Sequence, residues 1–239
     1  MKLSKVVAAA LISSGFLITS ASAATYTTDG LGGTTDGKVA FTAPTTNNDK
    51  PSIPGTGNDE NPDTPTDNPG TSSDALLKLV YASDLDFNTH DISSANQTYD
   101  AKTITSAQGS QVAPYVQVSD ARGTGSGWNL AVKQDKEFTN DTSDVLKGAY
   151  VKFAAPTLQD LNSVAPTGVT GNAVTLVAGG AAQTIMNATS GNGRGVTYGI
   201  FGTVADGTAN GAQLVVPGGS ALAGVYNTTL TWTLGSTPA

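Results

Sequence analysis

YNTTLTWTL (residues 226–234) decides the fold, because its side chains sort by parity. In an extended strand successive residues point to opposite faces. Tyr226, Thr228, Leu230, Trp232 and Leu234 therefore share an apolar face, and Thr229, Thr231 and Thr233 form a threonine row suited to solvent. A second stretch, GWNLAVKQ (127–134), has the same phase: Trp128, Leu130 and Val132 on one side, Asn129 and Lys133 on the other. These are the two tryptophans of the chain, and each begins Trp-x-Leu.

Runs of the same kind lie between these two stretches and upstream of them. LLKLVYA (76–82), VAPYVQVSD (112–120), GAYVKFAAP (148–156), NAVTLVAG (172–179), GVTYGIFGTV (195–204) and GAQLVVP (211–217) are of strand length and bounded by turn residues. Their spacing predicts an all-β domain, an antiparallel sandwich or barrel, over residues 75–239. SDALLKLVYASDLDF (73–87) also reads as a helix capped by Ser73 or Asp74, and TLQDLNSV (157–164) as a short helical turn.

The first residues, MKLSKVVAAALISSGFLITSASAATY, carry Lys2 and Lys5, an apolar run and Ala21-Ser22-Ala23. This predicts a secretory signal peptide over 1–23, cut before Ala24, and no membrane insertion of the mature chain. The chain has no cysteine. Disulfides and a lipid-modified cysteine are thereby excluded, and stability must come from a core.

The formal charge is −7, and loss of Lys2 and Lys5 makes it −9. An acidic chain without a basic face argues against nucleic acid and anionic membranes as partners. Residues 24–74 hold eight acidic residues against Lys38 and Lys50. Most of this stretch, from Thr45 to Asp74, is dense in Pro, Gly, Asn, Asp and Thr and is expected to be a disordered, exposed linker. GKVAFTA (37–43), where Val39 and Phe41 alternate with small residues, is a lone strand or docking element.

Catalytic signatures are sparse. His90 is the single histidine and lies in the polar stretch DFNTHDISS, more in keeping with a surface residue than a base. Carboxylate pairs Asp84/Asp86, Asp135/Glu137 and Asp141/Asp144 could in principle serve a glycosidase, but they sit in loop-like positions. Oxygen ligands in SDLDFN or NDTSD could hold calcium, although the spacing matches no calcium loop. The glycine-rich tract 188–211 lacks a phosphate-loop ending and reads as turn chemistry. No enzyme and no cofactor are expected.

Trp-Asn-Leu at 128–130 and Trp-Thr-Leu at 232–234, the latter within YNTTLTWTL, resemble the proximal and distal motifs of the WxL-domain surface proteins of Gram-positive bacteria. The resemblance covers most of the domain and implies a secreted, wall-associated protein of the small single-domain type that binds peptidoglycan non-covalently. It also implies a membrane-anchored partner and other WxL proteins as neighbours. A rival reading is an adhesin or assembly subunit that binds such a partner or host matrix and is held on the wall indirectly. The motif residues expected at the ligand are Trp128, Asn129, Leu130, Tyr226, Trp232, Thr233 and Leu234. Strand phase leaves two roles open for the tryptophans, core filling or a partly exposed shelf for a sugar ring. The terminal TLGSTPA has no sortase signal, so a wall-binding domain is expected to serve as the anchor.

Overall fold

The computed structural model describes residues 25–35, 37–56 and 61–239; the signal peptide expected over 1–23 lies outside the described residues. The chain divides into two compact units, Met1–Thr42 and Ala43–Ala239. In the first unit β1 (Thr25–Tyr26) pairs with β2 (Gly33–Thr34), and Tyr26, Leu31, Val39 and Phe41 are all exposed.

The second unit begins its strands with β3 (Leu77–Ala82), β4 (Gln97–Lys102), β5 (Ile104–Thr105), β6 (Gln111–Val112), β7 (Tyr115–Asp120) and β8 (Trp128–Gln134). There follow β9 (Tyr150–Phe153), β10 (Thr157–Gln159), β11 (Val169–Gly171), β12 (Val174–Thr175) and β13 (Gln183–Ala188). The chain ends with β14 (Gly195–Ile200), β15 (Val204–Ala205), β16 (Thr208–Val216) and β17 (Leu230–Gly235).

Three larger antiparallel sheets result. One runs β10-β14-β7-β3 and a second β11-β13-β8-β17; the third runs β12-β9-β16-β15, with β4 also paired to β16. The all-β sandwich expected from period-two patterning is therefore present, and no helix occurs among the described residues. The capped-helix reading of 73–87 fails because Leu77–Ala82 pairs with β7, which uses its backbone groups in a ladder. Likewise Thr157–Gln159 of the short helical reading pairs with β14.

One core joins the three sheets. Trp128, Leu130 and Val132 of β8 meet Ile185 and Met186 of β13, Val116 and Val118 of β7, Val151 and Phe153 of β9, and Leu214 of β16. The apolar stripe of β8 is thus the centre of this unit's core, with alternate residues fully enclosed.

Strand β7 is buried on both faces, all six residues of it. Its second face is covered by a strap, residues 47–53, from the stretch whose composition suggests an exposed linker. Ser52 N–H donates to Gln117 Oε1 (3.0 Å), Gln117 Nε2 to Lys50 O (3.0 Å), Tyr115 OH to Ser52 O (3.0 Å) and Asn47 Nδ2 to Ser119 Oγ (2.7 Å). Pro51, Ser52 and Ile53 are buried, and Ile53 packs with Tyr81, Tyr115 and Tyr198. Lys78 reaches out of β3 and donates to three carbonyls, Asn47 O, Asp49 O and Ser73 O, at 2.7–2.9 Å. The difference from the linker expectation has a physical cause. Few of these residues are apolar, but the sheet beneath supplies polar side chains that satisfy the strap's backbone.

Candidate functional site

The two tryptophan motifs occupy neighbouring strands, with Trp232 opposite Val132 and Leu234 opposite Leu130. The parity read from the sequence holds in space, yet the two indoles have different surroundings. Trp128 has no exposed surface, and its Nε1 donates to Gly193 O at 2.8 Å. Gly193, in the glycine-rich tract, has φ +71° and lies so close that a Cβ there would sit 2.6 Å from Trp128 Nε1. Turn chemistry in that tract therefore does more than reverse the chain, because its glycine lets the backbone cap the indole.

Trp232 is only partly buried. It lies edge-on to Phe153, with centroids 5.8 Å apart and planes at 68°, and 6.4 Å from Phe201. Among the described residues no group accepts from its indole N–H. Leu130 is enclosed and Leu234 partly so, while the middle residues of both motifs face outward. Asn129 Nδ2 donates to Thr237 O (2.6 Å), which stitches the terminal residues to β8, and Thr233 is exposed. A shelf made of both indoles does not form, because Trp128 is sealed inside.

The open side of Trp232 faces a cleft of about 1190 Å3. Its lining joins Trp232 and Leu230 of β17 and Tyr226 to the loop 82–93 and to Tyr99 of β4, over a floor that includes Phe138 and Leu214. The Tyr226 hydroxyl accepts from Leu222 N–H at 3.1 Å, which holds the 221–226 loop against the strand. Ile92, Leu222 and Val225, at the rim, are 60 %, 58 % and 73 % exposed, so the entrance is apolar. The loops that build it were not apparent in the sequence. Phe87 and Ile92 are isolated in a polar run, and no periodicity marks them.

Charge at the cleft is acidic. Asp86 pairs with Lys102 at 2.6 Å, and that hydrogen bond holds its carboxyl below the usual range. Asp84 is shifted the other way, upward, first by burial and then by the neighbouring Asp67. Neither Asp84 nor Asp91 has an ion pair among the described residues. The His90 ring stacks on Tyr99 with centroids 3.7 Å apart, and its Nε2 is bonded to Phe87 O at 2.5 Å.

Two of the other carboxylates considered as catalysts are engaged in local structure. Asp135 bonds Thr231 Oγ1 (2.6 Å) and pairs with Lys133 (3.0 Å), while Asp144 accepts from Asn140 and Thr142. No cluster of three or more His, Asp or Glu residues converges to hold a metal among the described residues.

An all-β module whose second Trp-x-Leu strand walls a large aromatic cleft is a binding domain in architecture. The WxL domain family, described as surface cell wall-binding, matches residues 28–238, and the chain belongs to it. Its membership places it among proteins attached to the cell wall at the cell surface. No curated protein and no solved structure matches the chain. The family match extends well upstream of residue 75 and includes the strap that covers β7.

Proposed function

We propose that this protein is exported and attaches non-covalently to Gram-positive peptidoglycan, with the wall polymer seated in the cleft beside Trp232 and Tyr226. The observation that carries this reading is the difference between the two motifs. The proximal indole is capped within the core; the distal one keeps an open edge and a free N–H on a wide cleft of a cell-wall-binding domain. Trp128, Leu130 and Leu234 then act by holding β8 and β17 in register, and Tyr226 by fixing the cleft wall. The protein binds without catalysis. Its acidic residues serve ion pairs, turns and the cleft rim.

Co-sedimentation of the chain with isolated Gram-positive sacculi tests the reading. Wild type is expected in the pellet, and Trp232→Ala, checked for folding by its melt, is expected to shift toward the supernatant by about tenfold in affinity. A wild-type chain that stays in solution would instead support attachment through a membrane-anchored partner or host matrix.

A further inference from the structure

The cleft has a second property, visible only in the ladder. Asp135 N–H donates to Thr229 O at 2.9 Å, so Thr229 and Asp135 form a hydrogen-bonded pair of the antiparallel β8–β17 ladder. Such pairs alternate along a ladder, which assigns Thr231, Thr233 and Gly235 to β8 as well. The N–H and C=O groups of Leu230, Trp232 and Leu234 consequently point away from β8. On that side β17 has no neighbouring strand among the described residues. An edge of this kind recruits extended chains. It is about 13 Å long, the length of a four-residue peptide.

The same cleft offers little to a sugar face. Tyr99 is already covered by the His90 ring, the Tyr226 hydroxyl is engaged by Leu222, and Trp232 is held edge-on to Phe153. What is available is an unpaired strand edge, an apolar rim of Ile92, Leu222 and Val225, and two carboxylates, Asp84 and Asp91, without cations.

We infer that the cleft takes a short extended peptide bearing a free side-chain amine, the chemistry of an uncross-linked peptidoglycan stem peptide, rather than a glycan strand. The peptide backbone pairs with Leu230 and Trp232 along the edge of β17, its small side chains rest on the apolar rim, and its amine meets Asp84 and Asp91. This assignment rests on the wall-binding reading and names the part of the wall that is held.

The full chain should be offered intact sacculi, sacculi stripped of stem peptides by an amidase, and a synthetic tetrapeptide with a lysine amine, free or acetylated. The expected result is binding to intact sacculi and the free-amine peptide, with loss on stripped glycan. Acetylation, Asp84→Asn and Ile92→Lys should each weaken the peptide by about tenfold. Both substituted side chains are exposed, and melts matching wild type exclude a folding defect. Equal binding to stripped and intact sacculi overturns the peptide assignment while leaving wall attachment standing. Failure to pellet with intact sacculi removes wall attachment itself.

Discussion

Trp128 and Trp232 carry the same three-letter motif in the same strand phase, and their difference comes from what lies beyond the strand. The glycine turn at 191–195 crosses Trp128 and accepts its N–H, whereas beside Trp232 the chain leaves a cleft. Replacement therefore separates the two roles. Trp128→Ala empties a sealed site and should cost about 3–5 kcal/mol. Trp232→Ala, partly exposed already, should cost about half of that. Urea unfolding of the two variants measures the ordering, and equal losses would contradict the assignment of Trp128 alone to the core. Gly193→Ala belongs with Trp128: its Cβ would collide with Ala188 Cβ as well as the indole, in a backbone conformation that alanine resists. A drop in stability of a size similar to that of Trp128→Ala is expected.

Among the elements, the strap over β7 is what the sequence concealed most. Strand β7 reads as YVQVSD, alternating apolar and polar, which suggests one face toward solvent. Instead Gln117 and Ser119 use their polar groups to bind the strap, and Tyr81, Tyr115 and Tyr198 close over Ile53. A chain starting at Asp74 would re-expose these rings and leave Lys78 without any of its three carbonyl partners. Relative to a chain starting at Ala43, it should lose about 3–5 kcal/mol and bind a hydrophobic dye. Denaturant midpoints of the two chains would decide this; coincident midpoints mean the strap is dispensable packing. The short strands β4 and β13 also escaped sequence reading. QTYDAK is too polar to stand out, and QTIMNA breaks its alternation at a bulge between Thr184 and Met186.

For the whole molecule, alkaline pH provides a probe of the strap. Burial pushes the phenols of Tyr81, Tyr115 and Tyr198 above their usual 10.0. The unfolded chain then releases protons that the folded chain keeps. Stability is full below pH 10 and falls as pH rises above it, by about 1.4 kcal/mol per pH unit for each tyrosine. Lys78 acts in the opposite sense, because burial lowers its pKa below 10.5, so stability rises with pH between its folded and unfolded values. Three phenols outweigh one amine, and thermal melts from pH 8 to 11 should decline beyond pH 10. In Tyr115→Phe, about a third of that slope should disappear. The all-β class, the strand phases and the family of this protein were legible in the sequence, because period-two patterning and two Trp-x-Leu motifs are local properties of the chain. Which tryptophan is sealed, that a polar segment serves as the outer wall of a sheet, and where the cleft opens were decided only by tertiary structure. Each depends on a partner dozens of residues away, Gly193 for Trp128, Gln117 for Ser52, the 82–93 loop for Trp232, and no pattern within either partner announces the other.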